Sequence, residues 1–89
     1  MILNYKKNAE ILKALSHPTR FMVVEELSKG TKCVGDIQNL LNIRQPNISQ
    51  HLSLLRLNGI VDYHQDGKMK CYFLKNPQLI KDLLKVFKK

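Results

Sequence analysis

"RQPNISQHLSLLRLNGIV", residues Arg44 to Val61, opens on amides, a hydroxyl and an imidazole, turns apolar, and closes past Asn58 and Gly59. It contains no acidic residue. The gap in carboxylates runs from Ile37 to Val61, a span whose only formal charges are Arg44 and Arg56. At about 100° per residue, a helix here places Ile48, Leu52 and Leu55 on one side. Gln45, Ser49, Ser53 and Arg56 gather on the other, with Pro46 and Gln50 at its edge, and Arg44 and Asn47 flank the start. One side anchors the helix. The other offers groups that match nucleic acid: Gln for the N6/N7 pair of adenine, Ser for several base edges, Arg for guanine or phosphate. Carboxylates would repel a duplex, whereas an exposed helix without such a task usually carries Glu–Lys pairs. Pro46 near the start directs the first amides outward, toward a phosphate. A polar, solvated helix in a generic bundle is the competing reading, and Gln-Pro-Asn-Ile-Ser-Gln-His is poor composition for one.

The flanking residues supply the architecture. In "ILNYKKNAEILKAL", Ile2, Tyr5, Ala9, Leu12 and Leu15 recur at helical steps. Pro18 then suits a first helical position, with Ser16 or His17 as its cap. The helix it opens presents Phe21, Val24 and Leu27, broadened by Met22 and Val23, and stops at Gly30. "TKCV" allows only a brief extended segment, and "GDIQNLLNI" reads as a short helix with Asp36 in its first turn. After Gly59 the period changes: "IVDYHQ" and "MKCYFL" are β-prone runs about Asp66–Gly67, a strong hairpin signal. Asn76 caps and Pro77 opens a last helix striped by Leu79, Ile80, Leu83, Leu84 and Phe87. The order is helix, helix, brief strand, helix, helix, hairpin, helix. This is a mainly α chain with a small β-hairpin wing, a winged helix-turn-helix: helix-turn-helix at about 35–58, wing at about 60–74.

Eighty-nine residues make one small domain with little buried area if it stands alone. The 44% hydrophobic and 25% charged content excludes disorder, and the net charge of +8 points to nucleic acid or another anionic surface. Two cysteines, Cys33 and Cys71, form neither a disulfide framework nor a CxxC pair. No apolar run reaches membrane length and no signal-peptide pattern opens the chain, so a cytoplasmic protein with no membrane partner is expected. A nucleophile–base pair, a phosphate loop and paired carboxylates are all missing, so no enzyme is expected.

"ALSHPTRFMVVEEL", "VGDIQNLLNIRQPNISQHLSLLRLNGIV" and "DGKMKCYFL" resemble, in order and spacing, the ArsR/SmtB family of dimeric winged-helix repressors, from about Leu12 to Leu74. The resemblance implies a homodimer joined through the first and last helices, about 2–15 and 77–88. Ile2, Tyr5, Ala9, Leu12, Leu79, Ile80, Leu83, Leu84 and Phe87 would form its interface. It implies further that the helix from Gln45 enters the major groove of double-stranded DNA and that the hairpin around Gly67 lies near the minor groove. Arg44, Arg56, Lys68 and Lys70 would then mainly meet the backbone, while Gln45, Ser49 and Gln50 read bases.

The family's sensor positions are altered here. Metal-sensing members carry Cys-x-Cys at the third helix, where this chain has Cys33 and then Gly35. Members that bind zinc at the last helix need an acid and an imidazole where Asn76 and Gln78 stand. The persulfide-responsive branch uses a cysteine in the second helix, which falls near Glu25 here, and another in the last helix, which has none. No metal and no cofactor are expected. Cys33 and Cys71 are left with two readings, small core residues or a redox pair, and neither thiol has an evident activating helix terminus and cation beside it. His17 reads as a cap, His51 as structural and His64 as a wing residue. A winged-helix protein-interaction module and a basic architectural protein that coats DNA remain as alternatives to a repressor.

Overall fold

The computed structural model describes residues 3–88, the side chain of Gln45 excepted. Helix α1 (Tyr5–Leu15) begins where the Asn4 side chain accepts a hydrogen bond from the Lys7 amide at 3.0 Å. Helix α2 (Pro18–Leu27) starts at His17, whose Nδ1 accepts from the Thr19 amide at 3.1 Å, so the cap is the histidine and not Ser16. Strand β1 (Lys32–Cys33) leads directly into α3 (Val34–Leu41), which closes on Asn42 in the left-handed conformation at φ 53°. Helix α4 (Gln45–Leu57) ends at Asn58, and Gly59 takes the left-handed φ of 72° that lets the chain turn into β2 (Val61–Asp66). Gly67 alone carries positive φ (63°) in the two-residue turn to β3 (Met69–Leu74), as a type II′ hairpin requires. Helix α5 (Pro77–Phe87) is capped by Asn76, whose Oδ1 accepts from the Leu79 amide at 3.1 Å.

The sheet is antiparallel in the order β1-β3-β2, with Cys33 opposite Cys71, and Tyr63 opposite Tyr72. All five helices and the sheet share one apolar core. Val23, Val24 and Leu27 of α2 occupy its centre with Ile37 of α3, and Ile48, Leu52 and Leu55 of α4 close over them. The three α4 residues are fully buried, as their spacing predicts. Burying such side chains contributes about 1.5–3 kcal/mol each, which fixes the rotation of α4 about its own axis and so decides which residues it shows to solvent.

One expected interface residue is inside. Ile80 is only 2% exposed and packs in the chain's own core, so it does not belong to the outward stripe of α5. Leu83 and Leu84 lie half-buried at the core's edge, because α5 docks on α2 with Phe87 edge-on to Phe21 at 5.7 Å between ring centroids. Tyr5, Ala9, Leu12, Leu79 and Phe87 face outward. Ile2 lies outside the described residues.

Candidate nucleic-acid interface

The candidate surface is built from α4, the start of α3 and the wing. With Ile48, Leu52 and Leu55 inward, Arg44, Pro46, Asn47, Gln50, Ser53 and Arg56 are exposed along the outer side of α4. Lys68 and Lys70 are exposed on the hairpin. A cleft of about 380 Å³ joins these parts, with Gly35 and Gln38 of α3, Ser49 and Ser53 of α4, and Lys68 and Lys70 of the wing on its walls. Ser49 is half-buried in that cleft, so it faces the wing more than open solvent. The described surface therefore brings the expected residues to one side of the molecule.

Two details differ from the sequence reading. Pro46 has no N–H, and the amides of Asn47 and Ile48 both donate to the Arg44 carbonyl oxygen at 3.1 Å. The start of α4 thus offers fewer free main-chain donors than its position suggests, and the Arg44 and Asn47 side chains are the exposed polar groups there. Arg56 is also engaged. Its Nε donates to Asp62 Oδ1 at 3.0 Å and its guanidinium lies 4.7 Å from the Tyr63 ring centroid. The hydrogen bond from Arg56, then that from the Tyr63 amide, hold the Asp62 carboxyl below the usual carboxylate range, and the same Asp62 bond raises Arg56. The charge that Arg56 presents is consequently shared with a carboxylate.

Arg20 was not visible as a site residue. Its Nε donates to the Ala14 carbonyl of α1 and its Nη1 lies 3.4 Å from His51 Nδ1 of α4, so one side chain links three helices. His51 also stacks obliquely on His17, with centroids 4.6 Å apart. Burial first, then the neighbouring His17 and Arg20, push the His51 imidazole below its ordinary range. A neutral imidazole is what this junction accommodates. Only the run His17-Pro18-Thr19-Arg20, four residues of which three carry polar side chains, hinted at it.

Among the described residues no three His, Cys, Asp or Glu side chains are grouped to hold a metal ion, and no helix is long and apolar enough to cross a membrane. A helix bearing amides, hydroxyls and arginine on its outer side, beside a lysine-tipped hairpin, defines a winged helix-turn-helix DNA-binding protein. The chain belongs to the ArsR family: residues 17–63 match the model described as "Bacterial regulatory protein, arsR family". It is 42% identical over 82 residues to a biofilm growth-associated repressor of Agrobacterium fabrum, covering 89% of this chain and 70% of that protein. An HTH-type transcriptional regulator of Methanocaldococcus jannaschii is 37% identical over 83 residues, covering 92% of each. Among solved structures, HlyU from Vibrio cholerae N16961 superposes with a TM-score of 0.89 at 27% identity over 98% of both chains. The transcriptional repressor BigR from Xylella fastidiosa does so at 0.83 with 38% identity, over 96% of this chain and 90% of that one. By this membership the chain is a transcriptional regulator and not an enzyme.

Proposed function

We propose that the chain is a homodimeric repressor that binds an inverted-repeat operator, acting on DNA in the cytoplasm as a single winged helix-turn-helix domain. One observation carries the reading: the buried face of α4 fixes an outward face free of carboxylates, with Lys68 and Lys70 placed beside it across a shared cleft. Gln45, Ser49 and Gln50 are assigned to base edges, and Arg44, Asn47, Ser53, Arg56, Lys68 and Lys70 to the backbone. The dimer reading is supported by apolar exposure at the opposite side. Leu12 is 60% and Phe87 65% exposed. They line a groove of about 450 Å³ with Leu15, Phe21 and Leu83. Apolar surface gathered like this is normally covered, and a two-fold partner supplies the cover. Two recognition helices then want half-sites about 34 Å apart, one turn of duplex.

Selection from a random DNA pool tests the reading. Enrichment of one inverted repeat, bound far more tightly than bulk competitor, is the expected result. Retention of DNA without enrichment would instead mark an architectural protein, and no retention at all an interaction module. Either outcome refutes an operator-binding repressor.

A further inference from the structure

Cys33 of β1 and Cys71 of β3 stand opposite each other in the sheet, and their sulfurs are bonded. The sequence left small core residues and a redox pair as the readings of these cysteines; Cys71 is buried, as the first expects, and is bonded to Cys33, as the second allows. Successive side chains alternate between faces. Val61, Tyr63, Tyr72 and Leu74 occupy the face that packs on the helices, so Cys71 and its β2 partner His64 occupy the other. Cys71 is 3% exposed, buried on the sheet face that turns away from Tyr63 and Tyr72. Cys33 is half-buried and is the N-cap residue of α3, with no side-chain hydrogen bond to that helix. Cys33 thus stands at a helix start, one of the two features, terminus and cation, that the sequence did not make evident beside either thiol. Cys33 is the more exposed residue of the pair and Cys71 the buried one.

We propose that Cys33–Cys71 is an exchangeable disulfide whose oxidised form holds the wing in its DNA-binding position and whose reduction by small thiols releases it. This rests on the operator-binding reading above. In the first step a small thiolate attacks Cys33 Sγ, forming a mixed disulfide there, and the Cys33–Cys71 bond breaks with its electron pair on Cys71, which takes up a proton. In the second, another thiolate attacks the outer sulfur of the mixed disulfide. Cys33 leaves as a thiolate at the positive end of α3, then protonates. The protein gains two protons and two electrons, and two small thiols become one small disulfide. A small disulfide or polysulfide runs the same steps in reverse.

The bond matters for DNA because β1 is short. It pairs with β3 only at Lys32–Tyr72 and Cys33–Cys71, so the disulfide is the covalent tie between the start of α3 and the wing. Lys70 precedes Cys71 on β3, and with Lys68 it shares the cleft with Gly35, Ser49 and Ser53. Reduction replaces the bond by a van der Waals contact. The sulfurs must part, and β3 carries Lys70 away from its place beside α4. A pinned wing is a pre-organised one, which binds without the cost of ordering it.

The test uses the full wild-type chain with its selected operator, treated either with oxidised glutathione or with dithiothreitol. The state of the bond is read by mass after thiol alkylation. The oxidised form should bind about tenfold more tightly, the equivalent of one positioned charged hydrogen bond. Its affinity should also fall more steeply with salt, since more phosphates are engaged. Cys33→Ala/Cys71→Ala should match the reduced wild type and ignore oxidant. A bond that resists dithiothreitol in the folded protein overturns the proposal. So does equal affinity of the two forms, or tighter binding by the reduced one. No DNA binding by either form refutes the repressor reading itself.

Discussion

Replacing Cys33 and Cys71 together by alanine removes a cross-link between residues 38 apart in sequence. Alanine is preferred to serine because Cys71 is 3% exposed, and a hydroxyl buried there would add a desolvation cost of its own. Closing a loop of this length removes unfolded-state entropy equivalent to about 4 kcal/mol at 25 °C. That is a large part of the 5–15 kcal/mol by which folded domains usually exceed their unfolded state. For a chain of this size each kcal/mol moves Tm by about 4–8 °C, so the double variant should melt roughly 15–30 °C below the oxidised wild type. Thermal and urea unfolding followed by circular dichroism, at one fixed protein concentration, measure it. Wild type in reductant should melt with the variant. Because the effect acts on the unfolded chain, the urea m-value should also rise once the link is gone. Oxidised and reduced protein melting within about 3 °C of each other, with equal m-values, would refute the loop-entropy reasoning.

Three further outcomes are expected. Leu12→Glu, at a position 60% exposed on α1, should leave the monomer's core intact but shift sedimentation from dimer to a 10.3 kDa species. A dimer that survives would move the interface elsewhere. Lys68→Ala should weaken operator and random DNA alike and lower the salt slope by about one, whereas Gln50→Ala should cost about 1–3 kcal/mol on the operator alone. The same pattern from both variants would dissolve the division between wing and reading helix. His51, depressed by burial and by His17 and Arg20, resists protonation in the fold. As pH falls through the ordinary histidine value of about 6.5, the unfolded chain therefore takes up the proton first. Stability should be full above that pH, decline below it, and level off once the folded imidazole also protonates. Urea midpoints at pH 7.5 and 5.5 should differ less for His51→Gln than for wild type, and an unchanged difference would remove His51 from the account.

What the sequence made legible is what depends on period and on single-residue punctuation. The inward set Ile48, Leu52 and Leu55 follows from spacing, and the turn at Gly67 follows from its freedom at positive φ. Ile80 was assigned to the wrong side because the stripe of α5 is wider than either surface it serves. Only the docking of α5 on α2, through Phe21 and Phe87, divides that stripe into a core edge and an outer edge. For the cysteines the sequence allows core residues or a redox pair and does not decide between them. A two-residue strand has no period of its own, and a slip of one residue would put Cys33 on the opposite face from Cys71. Arg56 was legible as a cation on the right face of α4, but its partner Asp62 lies past the turn at Gly59, where helix geometry makes no statement.

The Arg56–Asp62 pair explains an apparent inconsistency in the surface, a carboxylate at the edge of a region otherwise cleared of them. The Tyr63 ring is approached by two cations, Arg56 of α4 at 4.7 Å and Lys70 of β3 at 4.9 Å from its centroid. Two positive charges on one ring repel each other, and each cation–π contact contributes only about 0.5–1 kcal/mol at an exposed site. Asp62 offsets that repulsion on the Arg56 side, at the 3.0 Å of its hydrogen bond, and leaves Lys70 as the outward charge. The end of α4 is thereby joined to β2 through Arg56, which meets both Asp62 and the Tyr63 ring. A shift of β3 would move Lys70 off Tyr63, a contact within the wing itself. The disulfide and the Tyr63–Lys70 contact thus meet β3 on its two opposite faces.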